Sequence, residues 1–243
     1  VLQPINKLGL DYKFYHIDKY FHIAEVLHPK KDEVILYCNY FGLMDEYVKI
    51  VTDRYAPNII IDNTQAFFSR PLPEIDTFYT CRKFFGVADG AYLYTDKAAD
   101  FDFPQDYSSS RMLFLLDRLD KSAEEAFSDY HKSEDTLDHD EIKKMSKITQ
   151  FIMSSICYKS IADRRISNYT YLHDNLNSSN TLSVDLERES VPMVYPFLSG
   201  DINLRKKLID NKVYVASYWP NVKNMSNLES VESQFAVSLI PIP

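Results

Sequence analysis

Two short apolar runs, VILYC at 34–38 and NIII at 58–61, constrain the fold of this chain more than any other feature. A run without polar alternation marks a strand covered on both faces, and such strands belong to parallel sheets flanked by helices. Between the two runs, LMDEYVKIVTDRY sets Leu43, Tyr47, Val48 and Val51 at helical spacing. Pro57 stands just past the end of that segment, where a helix stop is expected. Strand, helix, strand with short links is a βαβ unit, and βαβ units build a mostly parallel sheet. Further strands are expected at 12–17 (YKFYHI), 75–80 and 91–95 (AYLYT).

The texture changes near Ser108. Residues 108–176 carry long helical periods with many charges, as in RMLFLLDRLDKSAEEAF and EIKKMSKITQFIMSSI. From Val191 a second, smaller α+β pattern follows. MVYPFL reads as a strand, INLRKKLIDN as a helix, KVYVASYW as a strand, NLESVESQ as a short helix and FAVSLI as the last strand. The expected organisation is a large α/β domain over 1–135, a helical connector over 136–180 and a small α+β domain over 181–243. The acidic run SEDTLDHDE at 133–141 lacks the glycine and ligand spacing of a calcium loop and reads as a solvated helix boundary. The first residues, VLQPINKLGL, hold no methionine and the last, SLIPIP, follow a strand-like run, so the chain reads as a piece of a longer one.

Composition removes several classes of function. The formal net charge is -8, which argues against general binding to nucleic acid or anionic membranes. No apolar run reaches the roughly 20 residues of a membrane span, and no signal peptide is visible. Cys38, Cys81 and Cys157 are odd in number and far apart, as in reduced cytoplasmic proteins rather than a disulfide framework. The six histidines show no metal spacing, so no metal is expected. With only five glycines and no glycine-rich phosphate loop, a doubly wound nucleotide-binding domain is disfavoured.

Ligands of open parallel sheets bind beyond the carboxyl ends of the strands. Asn39 follows the first buried run, Asp62 and Gln65 follow the second, and Thr80, Arg82 and Lys83 follow the next strand. Each residue alone has an ordinary structural explanation. Asp62 could cap a turn, and Lys83 could lay its stem on the surface. Together, a carboxylate and a lysine on neighbouring strand ends are what pyridoxal 5'-phosphate chemistry requires. The lysine forms a Schiff base with the aldehyde, and the carboxylate keeps the pyridine nitrogen protonated. Arg82 beside Lys83 and the aromatics around it would lower its pKa, and the Thr80 hydroxyl could bond a phosphate oxygen. Tyr218 and Trp219 could line a sugar site or close the small domain. Arg164 and Arg165 read as solvated helix residues, and Cys81 as a packed small residue.

IIIDNTQAFF and CRKFFGVADGAYLYTD resemble the two cofactor motifs of the DegT/DnrJ/EryC1/StrS aminotransferases. That resemblance rests on an aspartate with glutamine three residues on (Asp62, Gln65) and on a lysine followed by an acidic residue and glycine (Lys83, Asp89, Gly90). The NYFG turn is similar to the family's histidine-x-phenylalanine-glycine segment, with Asn39 at the histidine. VYVASYWPNV is similar to its substrate-side histidine-tyrosine-x-proline segment. The resemblance implies fold type I of the PLP-dependent transferases, like aspartate aminotransferase. It makes Asp62 the partner of the pyridine nitrogen, Gln65 the contact of the ring 3-hydroxyl and Lys83 the lysine that carries the cofactor. It implies amino transfer from an amino acid to a keto-sugar, nucleotide-linked, in polysaccharide or antibiotic-sugar biosynthesis, by a cytoplasmic homodimer. The chain departs from the family at Phe78, where a phosphate-binding serine usually stands, and it begins after the family's small-residue phosphate loop. Those departures carry a second expectation: a non-catalytic homologue that keeps the fold as an interaction domain.

Overall fold

The structure is a computed structural model that describes residues 2–97, 102–182, 184–224 and 230–243. Tertiary contacts divide the chain into two compact units. One comprises Pro29–Asp174 with Asp185–Tyr195, and the other Val1–His28, Asn175–Val184 and Pro196–Pro243. The division by contact thus joins the first 28 residues to C-terminal segments and the helices up to Asp174 to the sheet, instead of cutting the chain into consecutive blocks.

The larger unit is built on a four-stranded sheet in the order β1 (Ile35–Cys38), β2 (Ile59–Asp62), β3 (Thr77–Thr80), β4 (Ala91–Tyr94). β1 and β2 pair in parallel from Ile35↔Ile59 to Cys38↔Asp62. β2 and β3 are also parallel, with Asp62 opposite Phe78. β4 turns back antiparallel, with Thr80 opposite Ala91. Three parallel strands therefore end on one rim, at Cys38, Asp62 and Thr80. The expected alternation-free burial is close to true of β2, where Ile59, Ile61 and Asp62 are all buried. In β1 only Ile35 and Tyr37 are fully covered, and Val34 is exposed and outside the strand.

The crossover helix α1 (Asp45–Tyr55) presents Val48, Val51 and Tyr55 to the core, three and seven residues apart, which is one face of a helix. Before it, Phe41 and Gly42 take positive φ angles of 59° and 68°. A Cβ on Gly42 would stand 2.8 Å from the carbonyl oxygen of Val191, so glycine is needed there for space as well as for φ. The segment 185–195 is held on this turn: Met193 N donates to Phe41 O at 2.7 Å.

Beyond the sheet come α2 (Leu113–Asp120), α3 (Phe127–His139), α4 (Lys147–Ser155) and α5 (Tyr158–Leu176). Asp89 fastens the start of α4. Its carboxylate accepts from Ser146 N at 2.7 Å, Ser146 Oγ at 2.8 Å and Thr149 Oγ1, and Ser146 itself caps the helix by accepting from Thr149 N. Two surface readings need correction here. In the acidic run of 133–141, Glu134 pairs with Arg82 and Ser133 is buried. Arg165 is no solvated residue: its guanidinium donates to Met193 O at 2.8 Å and Phe84 O at 3.3 Å and lies over the Phe84 ring at 4.6 Å.

In the smaller unit, β5 (Tyr195–Leu198) starts at the boundary and pairs with β6 (Leu239–Ile242), beside α6 (Leu204–Asp210) and α7 (Val231–Ser238). Asn180 ties the incoming chain to β5, accepting from Leu198 N at 2.9 Å and donating to Pro196 O at 3.0 Å. Three expected strands change. Among the described residues YKFYHI makes only the isolated bridge Ile17↔Ile23, and Tyr12 and Phe14 are exposed, with no described strand alongside to pair with them. KVYVASYW is not a strand because the Arg205 guanidinium takes the carbonyl oxygens of Val215 and Ala216. In FAVSLI, residues Phe235–Ser238 continue the helix capped by Ser230, and the strand begins only at Leu239. Part of NLESVESQ, residues 227–229, lies outside the described residues.

Candidate active site

The larger unit brings Asn39, Asp62, Gln65, Thr80, Arg82 and Lys83 to the carboxyl rim of the parallel strands, and they divide into two groups by what their side chains do.

Asn39 and Arg82 belong to the framework. Asn39, 1% exposed, spends its whole side-chain amide on the turn. Nδ2 donates to Asp45 Oδ1 at 2.7 Å and Ser69 Oγ at 3.2 Å, and Oδ1 accepts from Met44 N at 3.1 Å. Asp45 is the hub, since its carboxylate also accepts from Ser69 Oγ at 2.6 Å and Ser190 Oγ at 2.9 Å. Arg82 forms its ion pair with Glu134 of α3.

Asp62, Gln65 and Lys83 keep capacity for a ligand. Asp62 is buried at the last position of β2, where Oδ1 accepts from Thr64 N at 2.8 Å. Its Oδ2 takes no hydrogen bond from a described residue. Gln65, 2% exposed, accepts from Phe41 N through Oε1 at 3.0 Å, which steadies the left-handed Phe41. Its Nε2 makes no hydrogen bond to a described residue. Lys83 lies in a tight turn in which Phe84 N and Phe85 N both donate to Cys81 O. That turn sends Phe84 and Phe85 inward, against Phe67 and Phe68, and leaves Lys83 open to solvent on one flank. Lys83 Nζ reaches back and donates to Thr64 Oγ1 at 3.2 Å.

The protein packed about the amine lowers the Lys83 pKa. Cys38 and Asp62 nearby counter part of that, and Arg82 adds the smallest lowering. The expected effect of Arg82 is thus present but minor. Burial pushes the Cys38 thiol well above its usual range, with Asp62 adding to the rise and Lys83 opposing it. Burial likewise raises Cys81 to about 12, which makes it an inert packed thiol.

Thr80 ends β3, half-buried, and its hydroxyl has no bond to a described residue. Phe78, opposite Asp62, occupies the position of the expected serine. Tyr218 and Trp219 lie in the smaller unit, with ring centroids 5.5 Å apart and Trp219 at φ 50°. Among the described residues no group of three His, Cys, Asp or Glu side chains stands where a metal could be held, and no helix is long and apolar enough to cross a membrane.

Sequence reasoning missed Thr64. It stands inside the quoted DNTQ, but a threonine between two motif residues carries no signal until Lys83, 19 positions on, is folded against it.

The α/β architecture, three parallel strands with an antiparallel one beside them, is that of fold type I of the PLP-dependent transferases, as the likeness to solved structures shows. More particularly, the chain shares the fold of a DegT DnrJ EryC1 StrS aminotransferase from Brucella abortus. The TM-score is 0.61 at 12% identity, over 98% of this chain and 69% of that one. AtS13 from Actinomadura melliaura is similar as well, with a TM-score of 0.55 at 11% identity, over 100% of this chain and 72% of the other. No protein-family model matches the chain, and no curated protein matches it.

Proposed function

We propose that the chain is a PLP-dependent aminotransferase, moving an amino group from an amino acid to a keto-sugar of the nucleotide-linked kind. One observation carries the reading: on a sheet shared with aminotransferases, Asp62 and Lys83 meet at one rim through Thr64. The donor set fits the cofactor. Asp62 has an oxygen to spare for a pyridinium nitrogen, Gln65 has an amide N–H for a phenolic oxygen, and Lys83 has an amine whose pKa the surrounding protein lowers.

Bound there, PLP supplies an electron sink for the substrate carbon. The protein's own part is positional and protolytic. The Asp62 carboxylate would hold the proton of the ring nitrogen, and the turn of Asn39, Asp45 and Ser69 braces the rim. Lys83 Nζ would hold the aldehyde end of the cofactor, and its amine at the rim would accept and return a proton at the substrate. Thr80 is the hydroxyl at the strand end for the phosphate. Tyr218 and Trp219 are candidates for the sugar side. Asn39 acts through the turn it clamps rather than as a ligand. A cytoplasmic homodimer and a role in polysaccharide or antibiotic-sugar synthesis belong to the same reading.

Phe78 favours a second reading, a homologue that keeps the fold and has lost cofactor binding, because a phenyl ring offers phosphate no hydrogen bond. Mixing the chain with PLP distinguishes the two. The enzyme reading expects a visible absorbance band that borohydride abolishes, with the label on Lys83, and no such band in Lys83→Ala. No band in the unmodified chain leaves the second reading standing.

A further inference from the structure

Thr64 sits between the two residues that carry the chemistry. Its backbone N–H donates to Asp62 Oδ1 at 2.8 Å and its hydroxyl accepts from Lys83 Nζ at 3.2 Å. The turn that holds it is fixed from both sides. Ala66 N donates to Asn63 O at 3.0 Å, and Gln65 Oε1 accepts from Phe41 N at 3.0 Å. Thr64 thus touches the carboxylate through its backbone and the amine through its hydroxyl, two residues past the end of β2.

We propose that Thr64 is a positioning residue for Lys83. Its hydroxyl is the resting partner of the amine whenever that amine is not covalently engaged, and it holds Nζ at the Asp62 end of the rim. This deepens the aminotransferase reading and rests on it for its purpose, though not for its geometry. A lysine side chain free at the tip of a turn samples many rotamers, and a fixed acceptor at the rim selects those that keep the amine beside the ring-binding carboxylate. The hydroxyl suits both protonation states. It accepts from the ammonium, and it can donate to the lone pair of the neutral amine, so a proton on Nζ can come and go without the amine leaving its place. Among the described residues, the other charged or titratable groups that act on the amine are Cys38 on β1, Asp62 on β2 and Arg82 in its own turn, the last paired with Glu134 of α3.

The test is competitive acetylation of the full chain with trace acetic anhydride across a pH series, with Lys83 quantified by peptide mass spectrometry. Thr64→Val removes the hydroxyl and keeps the shape. Thr64→Ser keeps the hydroxyl. An acceptor lost to an ammonium disfavours the charged form, so the Lys83 midpoint in Thr64→Val is expected about one pH unit below that of the unmodified chain, with Thr64→Ser restoring it. Equal midpoints in the unmodified chain and Thr64→Val overturn the proposal, as does a shift that Thr64→Ser fails to reverse. Capture of PLP by cyanoborohydride at Lys83 of the unmodified chain is scored separately. If capture fails while the midpoint shift holds, the cofactor reading falls and the positioning role of Thr64 stands. If capture succeeds and the midpoints coincide, the cofactor reading stands and Thr64 is only part of the turn.

Discussion

Lys83 gains its character from its surroundings and not from its neighbour in sequence. Packing lowers its pKa, while Asp62 pulls it upward. Lys159 is the useful contrast, because a hydrogen bond to Asp163 raises its pKa. In the acetylation series Lys83 is expected to become half-labelled at a lower pH than Lys159. In Asp62→Asn it falls lower still, because the carboxylate that favours the ammonium is gone. The same substitution keeps an acceptor for Thr64 N, so the melting temperature should hold. PLP affinity should drop about tenfold to a hundredfold, the size of one hydrogen bond to a charged group. Fluorescence titration with PLP measures that loss, and an unchanged affinity would remove Asp62 from the cofactor set. At this scale the place of Asp62, Gln65 and Lys83 on one rim was legible in the sequence, because each follows a strand-like run. Thr64 and the Asn39 clamp were not, since a hydroxyl or an amide reports its partner only when the chain is folded.

Helix α4 depends on a carboxylate far away in sequence. Burial alone would raise the pKa of Asp89, yet hydrogen bonds from Thr149, Ser146 and Ser108 outweigh it and hold the carboxyl below the usual carboxylate range. A group whose folded pKa lies below its unfolded value stabilises fully above the unfolded value, about 3.9 for aspartate, and loses that contribution as the pH falls through the lowered one. Urea unfolding should therefore show a loss of stability below about pH 4 that is smaller in Asp89→Asn than in the unmodified chain. At neutral pH, Asp89→Ala strands the donors of Ser146 and Thr149 and should cost about 2 kcal/mol. Gly42 makes a comparable demand one turn before α1. Alanine there meets positive φ and the Val191 carbonyl together, so Gly42→Ala should destabilise by roughly 1–3 kcal/mol, read from the same urea curves. Elements whose signal is local, β1, α1, β2 and β3, were legible from the sequence within a few residues. YKFYHI and KVYVASYW have strand composition without a strand, because pairing needs a neighbour, and Arg205 holds the carbonyls of the second.

For the whole molecule, the informative feature is the return of residues 185–195 to the sheet-bearing unit after the chain has left it. Arg165 clamps that return through Met193 O and Phe84 O. Arg165→Ala should open the segment, seen as faster cleavage at 185–195 in limited proteolysis, and should cost the larger unit about 2 kcal/mol. Cleavage there at the unmodified rate would mean that the Asp45, Phe41 and Met193 bonds hold the segment unaided. By itself the sequence determined the parallel strands of the α/β sheet and the rim on which Asp62 and Lys83 stand. Those properties follow from side-chain type and short-range period, which the chain carries at every position. Only the tertiary structure decided that Thr64 joins the acid to the amine, that Arg82 turns to Glu134, and that the first 28 residues pack with the last segments. Each of those is a contact between residues distant in the chain, set by packing that local chemistry does not encode.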